Sequence, residues 1–460
     1  MILAVDQGTT GTACLVVDDE LRVLGRAYAQ VSLSTPRQGW VEQDPEELWT
    51  SVERAAEAAL ADARVAASEL GAIGIANQRE TTLVWDRATG VPVYPAIVWQ
   101  DRRTADRCRE LPADLIRART GLTPDPYFSA TKLEWILRET GARDVAFGTV
   151  DSWLLWRLTG GAVHATDVSN AARTLLLDLA SLAWDDELLE LFGVERAVLP
   201  EVHGSAEMVG EGTLLGATLP VAALAGDQQA SLYAHGGAKV TLGTGAFLLV
   251  ATGGDCSPPP HGLVRTAAAG GGYALEGSIF VAGAAVQWLR DGLGLLSNAA
   301  ESEALARSVA STQGVYFVPA LTGLGSPHWA PDARGLVSGL TRGTRREHLV
   351  RAALESIAYQ VLDVVDALPE RPTTLRADGG ASANGFLMQF LADVLQLPVD
   401  VAAEREATAL GAAALAGVAT GRWREDELAP LRLTAARYEP ERDASVLVAG
   451  WRDALGRTLP

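Results

Sequence analysis

The chain opens on a short apolar run, residues 2–5, that breaks at Asp6-Gln7-Gly8-Thr9-Thr10-Gly11-Thr12. Apolar residues resume at 13–17, stop at Asp18-Asp19-Glu20 and return at 21–28. Short apolar runs bounded by turn formers predict strands, and their close spacing predicts a β-hairpin with a tight glycine and threonine turn. A different period follows. Asp44-Pro45-Glu46-Glu47 signals a helix start, with Asp44 as N-cap, Pro45 first in the helix and Glu47 as the returning acid of a capping box. Leu48, Val52, Ala56 and Leu60 recur every fourth residue and predict its buried face. A buried strand at 72–76 then runs into the polar cluster Asn77-Gln78-Arg79-Glu80-Thr81-Thr82.

The second half repeats this theme. Residues 222–225 form an apolar run ending in Gly226-Asp227-Gln228-Gln229, and 239–242 lead into Gly243-Thr244-Gly245-Ala246-Phe247 and a further strand to Val250. Strand, small turn and strand thus occur twice, although identity between the copies is too low to establish a duplication. A long amphipathic helix is predicted over 347–367, with Leu349, Ala353, Ile357, Val361 and Val364 on one side. A strand at 374–377 then enters Asp378-Gly379-Gly380-Ala381-Ser382-Ala383-Asn384, and a helix opens at Gly385. Residues 253–261, with three consecutive prolines, read as a surface loop, and no low-complexity linker divides the chain. The expected architecture is α/β, two related lobes with a cleft between them.

Composition narrows the function classes. With 460 residues, 48% hydrophobic and 21% charged, the chain suits two globular domains. A net charge of −19 argues against a nucleic-acid surface and against an anionic membrane face. Lysine occurs only at Lys132 and Lys239, followed by Leu133 and Val240, so no P-loop GxxxxGK[ST] string exists, and the HRD and DFG strings of protein kinases are missing too. Cys14, Cys108 and Cys256 are odd in number and far apart, and the six histidines never approach HxxxH. No basic leader and no long apolar window is visible, so a cytoplasmic, non-inserted protein is expected.

Phosphate chemistry remains open without lysine. Gly8-Thr9-Thr10-Gly11 and Gly243-Thr244-Gly245 put amides and hydroxyls in tight turns, where backbone can approach an oxyanion, and Gly379-Gly380 offers a third glycine pair. Each turn alone equally suits an ordinary hairpin. Asp6 and Asp227 stand at the ends of apolar runs, where strands of open α/β sheets meet a cleft. Asp6 would hold Mg²⁺ through hard oxygen ligands, and Asp227 could accept a hydroxyl proton near the metal. As alternatives, either could cap a turn. Arg79-Glu80 is a donor–acceptor pair suited to vicinal hydroxyls, or else a surface ion pair, the reading two letters favour. Trp99, Tyr127 and Phe247 could wall a carbon chain or simply fill a core.

Two long stretches carry a resemblance. Tyr127-Phe128-Ser129-Ala130-Thr131-Lys132-Leu133-Glu134-Trp135-Ile136-Leu137-Arg138-Glu139 is one, and Gly335-Leu336-Val337-Ser338-Gly339-Leu340, followed after seven residues by His348-Leu349-Val350-Arg351-Ala352-Ala353-Leu354-Glu355, is the other. Both fit the signatures of the FGGY carbohydrate kinases, in the actin–hexokinase–Hsp70 ATPase superfamily, and the chain is most similar to the members that act on glycerol. The resemblance implies two actin-like (ribonuclease H-like) lobes, 1–234 binding polyol and 235–460 binding nucleotide. It implies that Arg79, Glu80, Tyr127, Asp227 and Gln228 bind the glycerol hydroxyls, with Trp99 and Phe247 as apolar walls. Thr9, Thr10 and Gly11 would form the first phosphate loop and Thr244 the second, and Gly283, Gln287, Gly380 and Asn384 fall at the nucleotide site. The implied reaction is ATP- and Mg²⁺-dependent transfer to a terminal hydroxyl, giving sn-glycerol 3-phosphate, by a homo-oligomer. Asp227 is expected as general base, with Asp6 and Asp227 at the metal.

Three departures stand out. Gly11-Thr12-Ala13 replaces the usual Ser-Ser-Arg, so an arginine is gone. The segment between Gln229 and Gly243 is short, removing much of the loop that carries regulatory phosphorylation in some members, and His235 inherits no such role. The stretch after Trp135 is trimmed. Rival readings are a kinase of another polyol or ketose (xylulose, ribulose, erythritol), an actin- or Hsp70-like ATPase, and a homologue that binds without turnover.

Overall fold

In the computed structural model, which describes residues 1–404 and 406–459, two mixed sheets form the frame and share one plan. In the first, Ile2–Gln7 pairs antiparallel with Gly11–Val17, which pairs antiparallel with Val23–Gln30. Ala72–Asn77 runs parallel to Ile2–Gln7, and Ala217–Gly226 runs parallel to Ala72–Asn77. In the second, Ala238–Leu242 pairs antiparallel with Ala246–Gly253, which pairs antiparallel with Tyr273–Ile279. Leu375–Asp378 then runs parallel to Ala238–Leu242, and Val399–Ala402 runs parallel to Leu375–Asp378. Both sheets therefore read third, second, first, fourth, fifth strand, with additional edge strands outside that set. The repeat hinted at by the Gly/Thr turns is present in topology, since each turn joins the first and second strands of its sheet.

Alternation along the first sheet explains how both of its faces are covered. Leu3, Val5, Cys14, Val16, Ile73 and Ile75 belong to one apolar cluster, which includes Leu48, Val52, Ala56 and Leu60 of the helix Pro45–Ala63. Ile2, Ala4, Leu15, Val17, Ala72 and Ala76 point the other way, into a cluster shared with the helix Ala407–Ala419. Small residues allow that second helix to come close: a Cβ at Gly74 would strike the carbonyl of Ala412, and one at Gly411 the carbonyl of Ala230. Thus a helix late in sequence packs on the sheet formed by the early strands.

Local signals mostly resolve as expected. Asp44 caps Pro45–Ala63 by accepting from Glu46 N–H at 2.9 Å. Glu47 is a correction, for its Oε1 accepts from the N–H and hydroxyl of Ser32 at 3.1 and 3.0 Å instead of closing a capping box. The long helix spans Arg346–Asp366 and is buried on nearly every side, so its amphipathic reading underestimated its burial. Only Leu349 of the five expected core positions is partly open. Among the described residues no helix is long and apolar enough to cross a membrane.

Candidate active site

The C-terminal ends of the parallel strands converge on a cleft, as open α/β topology favours. Asp6 stands near the end of Ile2–Gln7, Ala72–Asn77 hands over to Gln78-Arg79-Glu80, and Ala217–Gly226 hands over to Asp227, the first residue of the helix Asp227–His235. Here lies a pocket of 210 Å³ whose lining includes Arg79, Glu80, Trp99, Tyr127, Asp227, Gln228 and Phe247, together with Asp6, Gly8, Thr9, Thr10, Thr241, Gly243, Thr244, Gly245 and Thr408. All seven residues expected at a polyol are brought together.

Arg79 and Glu80 are not a surface pair; both are buried, at 2% and 1% exposure. The guanidinium of Arg79 donates to Glu276 through both terminal nitrogens, at 2.6 and 2.9 Å, and to the Tyr127 hydroxyl at 3.2 Å. Its Nε lies 3.2 Å from Oδ1 of Asp227. Arg173 completes the cluster, donating to Glu80 at 2.6 Å and to Glu276 at 3.0 Å. Glu276 comes from the second sheet, so a buried ion network crosses between the sheets directly beneath the pocket. Burial alone would raise the Glu276 carboxyl, but the charges of Arg173 and Arg79 overturn that and hold it at about 2. Burial raises Glu80 despite the same two cations. Glu80 also adopts φ 60°, a left-handed conformation costing on the order of 1–3 kcal/mol, in which its carbonyl accepts from Ser129 and Thr82.

Aromatic edges enclose the carbon side. Trp99 meets Tyr127 and Phe247 edge-on, with ring centroids 5.7 and 6.0 Å away. The two lysines lie behind this site. Lys132 donates to the Tyr127 carbonyl at 2.8 Å, and Lys239 donates to Gln228 and Thr241. Burial depresses them to about 7 and about 8.

The first turn is arranged to present donors. Trp99 Nε1 donates to Thr9 Oγ1 at 2.8 Å, the Thr9 carbonyl accepts from Gln43 and the Thr10 carbonyl from Val31 N–H. Among the described residues the N–H groups of Thr9 and Thr10 have no acceptor. The second turn is tied back differently, with Gly243 and Thr244 carbonyls accepting from the N–H groups of Ala282, Gly283 and Ala284 at the start of the helix Gly283–Asp291. A Cβ at Gly283 would strike the Gly243 carbonyl, so glycine permits this docking. Gly11 stands one step back from the cleft, where its carbonyl accepts from Gly8 N–H at 2.9 Å, and it is not part of the pocket lining.

Gly243 and Thr244 are also shared with a second cavity, of 540 Å³, lined by Gly283, Gln287, Gly380 and Asn384 together with Leu242, Val286, Leu354 and Ile357. All four residues expected at the nucleotide meet there. Asn384 additionally caps the helix Gly385–Leu395 through Leu387 N–H at 3.0 Å.

Asp6 is raised by burial and by the negative charges of Asp227, Glu406 and Asp378, and no hydrogen bond or ion pair offsets this among the described residues. Asp227 is raised by burial against the opposing charges of Arg79 and Lys239. Among the described residues no three His, Cys, Asp or Glu side chains form a self-sufficient metal site. An under-compensated carboxylate pair with oxygen donors only fits a Mg²⁺ that keeps several waters and binds substrate phosphates.

Arg173, Glu276, Lys239 and Asp378 escaped the motif reading. A glutamate inside the apolar run Tyr273–Ile279 was the available signal, because a buried charge demands a partner. His235 is buried and bonded to Asp378 at 2.8 Å, beside Ser231, so it serves the interior.

Known proteins resemble this chain over its whole length. Residues 1–234 match the N-terminal domain of the FGGY family of carbohydrate kinases, and residues 238–420 match its C-terminal domain. The chain is 49% identical over 488 aligned positions to glycerol kinase 2 of Thermotoga maritima, covering 100% of this chain and 98% of that protein. Glycerol kinase of Plasmodium falciparum, solved with ADP, superposes with a TM-score of 0.88 at 34% identity, covering 100% of this chain and 98% of that one. A xylulose kinase from Rhodospirillum rubrum superposes at 0.83 with 27% identity, covering 99% and 97%. The chain belongs to the FGGY family of carbohydrate kinases.

Proposed function

We propose that this kinase transfers the γ-phosphoryl group of ATP to a terminal hydroxyl of glycerol, giving sn-glycerol 3-phosphate. The observation that carries this is the 210 Å³ pocket with its buried donor–acceptor pair, aromatic walls and Asp227, joined through Gly243 and Thr244 to the larger glycine-lined cavity. The relatives near half identity are named glycerol kinases, which supports the same choice.

In this reading Arg79 and Glu80 orient vicinal hydroxyls, and Trp99, Tyr127 and Phe247 exclude water from the carbon chain. Arg79 Nε and Gln228 N–H both hold Oδ1 of Asp227, the latter at 2.7 Å, which leaves Oδ2 to take the hydroxyl proton as the oxygen attacks phosphorus in line. Free amides of the two turns receive phosphate oxygens, and the apolar side of the 540 Å³ cavity takes the base. Asp6 and Asp227 would hold Mg²⁺, which when bound supplies charge neutralisation at the phosphates. Residues 1–234 supply most polyol contacts and residues 235–460 most nucleotide contacts.

A coupled assay across glycerol, erythritol, xylulose and ribulose tests the reading. Glycerol is expected to have the highest kcat/KM by orders of magnitude; a preferred pentulose overturns it, and polyol-independent ATP turnover points instead to an ATPase.

A further inference from the structure

We propose that Tyr28 is a positioning residue for the nucleotide phosphates, acting by orienting the Thr10 hydroxyl. The inference rests on the reading above that the 8–10 turn receives phosphate. Tyr28 lies on the strand Val23–Gln30, directly across from Ala13 in the register. Cross-strand partners share a face, as do residues two apart on one strand. On that face Gly11 and Ala13 are both minimal, and the phenol occupies the space they leave: a Cβ at Gly11 would strike the Tyr28 ring. The side chain is 60% exposed, yet it folds back along the strand rather than extending into water.

Its hydroxyl donates to Thr10 Oγ1 at 3.3 Å. A threonine hydroxyl has one proton, and a donor on its oxygen leaves that proton to be given elsewhere. Nearby carbonyls are already engaged, Thr10's by Val31 N–H, Thr9's by Gln43 and Gly8's by Gln7 and Gln78. The remaining acceptors within reach of the turn are solvent and, once bound, an anion in the cleft. Thr9 is backed in the same sense by the indole N–H of Trp99, a group that can only donate. Both hydroxyls of the turn are thus set to donate outward by an aromatic side chain behind them. The arginine absent at position 13 and the tyrosine present at 28 are two sides of one arrangement, in which an oriented hydroxyl does part of what a cation would do.

Tyr28→Phe tests this cleanly, because it keeps the ring over Gly11 and removes only the hydroxyl at an exposed position. The ATP KM and the ADP Kd from calorimetry are expected to rise about three- to tenfold, with the glycerol KM and Tm unchanged. Thr10→Val is measured in parallel and is expected to weaken nucleotide by a similar factor, with the double variant no weaker than Thr10→Val alone. If Thr10→Val leaves ATP and ADP unaffected, the phosphate-turn reading falls, and the proposal with it. If Thr10→Val weakens nucleotide while Tyr28→Phe does not, or if the two effects add, the reading stands and the Tyr28 proposal falls; the tyrosine is then only a cover, from the edge strand, for a glycine on the neighbouring strand.

Discussion

The fourth strand of each sheet ends at the cleft in the same topological place, yet the two ends are chemically opposite. Ala72–Asn77 runs out into Gln78-Arg79-Glu80, whose two charged side chains are buried and ion-paired. Leu375–Asp378 runs out into Gly379-Gly380, which has no side chains at all. On the function proposed above, one scaffold recognises in two ways, by fixed charges at the polyol end and by bare backbone at the nucleotide end. The difference follows from ligand chemistry. A small neutral polyol offers only hydroxyls, so it must be read by directional donors and acceptors. A nucleotide brings its own charge and a large flat base, so space, amides and a metal suffice. It also reconciles a protein of net charge −19 with an anionic substrate.

The junction of the two regions is where the largest effect is expected. Asp227→Asn removes the proton acceptor while keeping shape, and kcat should fall about a thousandfold or more in the coupled assay. Glycerol binding by calorimetry should largely survive. A loss of less than tenfold removes Asp227 from the role of base.

Next comes the polyol end. Glu276→Gln leaves Arg79 and Arg173 without their shared counter-charge, and removing one partner of a buried charge cluster costs roughly 3–5 kcal/mol of stability. The kcat/KM for glycerol should drop about thirtyfold or more, with the ATP KM much less affected. The pH dependence has a definite sign. Because the folded-state carboxyl sits at about 2, below its ordinary 4.5, its contribution is complete above 4.5 and is lost as pH falls toward 2. That contribution is worth roughly 3 kcal/mol, so unfolding of Glu276→Gln should depend less steeply on pH across this window than the parent. Equal steepness, measured by urea titration at several pH values, would remove the network from the stability argument.

How much of this contrast was legible in the sequence differs between its halves. The strand ends, the Gly/Thr turns and the cap at Asp44 were readable because each depends on local residue types. Arg79 and Glu80 were visible as letters but not as a site, because what buries them is Arg173, 93 residues beyond Glu80, and Glu276, 197 residues beyond Arg79. Likewise, nothing local in Ala407–Ala419 says that it packs on the first sheet rather than the second; the glycine at 74 matters only once Ala412 lies against it. The resemblance through residues 127–139 and 335–355 supplied the site's membership, while the charge network beneath it and the tyrosine behind its turn needed three dimensions.

The nucleotide end can be blocked without touching the polyol end. Gly379 has φ 84° and its Cβ would strike Leu242 backbone, so a side chain there would damage the fold. Gly380 is different: a Cβ there meets nothing within 4 Å, and the residue lines the 540 Å³ cavity. Gly380→Val should therefore leave Tm and glycerol Kd near parental values while raising the ATP KM by at least about tenfold. An unchanged ATP KM places the nucleotide elsewhere.

The smallest effect should come from the residue that belongs to both ends. Trp99 walls the polyol pocket beside Tyr127 and Phe247, and its indole N–H holds Thr9 in the phosphate turn. Trp99→Phe preserves most of the wall and deletes the hydrogen bond, so the loss is one neutral bond's worth, about three- to tenfold. The informative quantity is how that loss divides. If recognition at the two ends is as separate as their chemistry, the ATP KM should carry nearly all of it, since only the Thr9 hydroxyl has lost its orientation. A shift of equal size in the glycerol KM would mean that the indole couples the ends, so that the turn and the polyol pocket tighten together. Steady-state kinetics with each substrate varied at saturation of the other distinguishes the two outcomes.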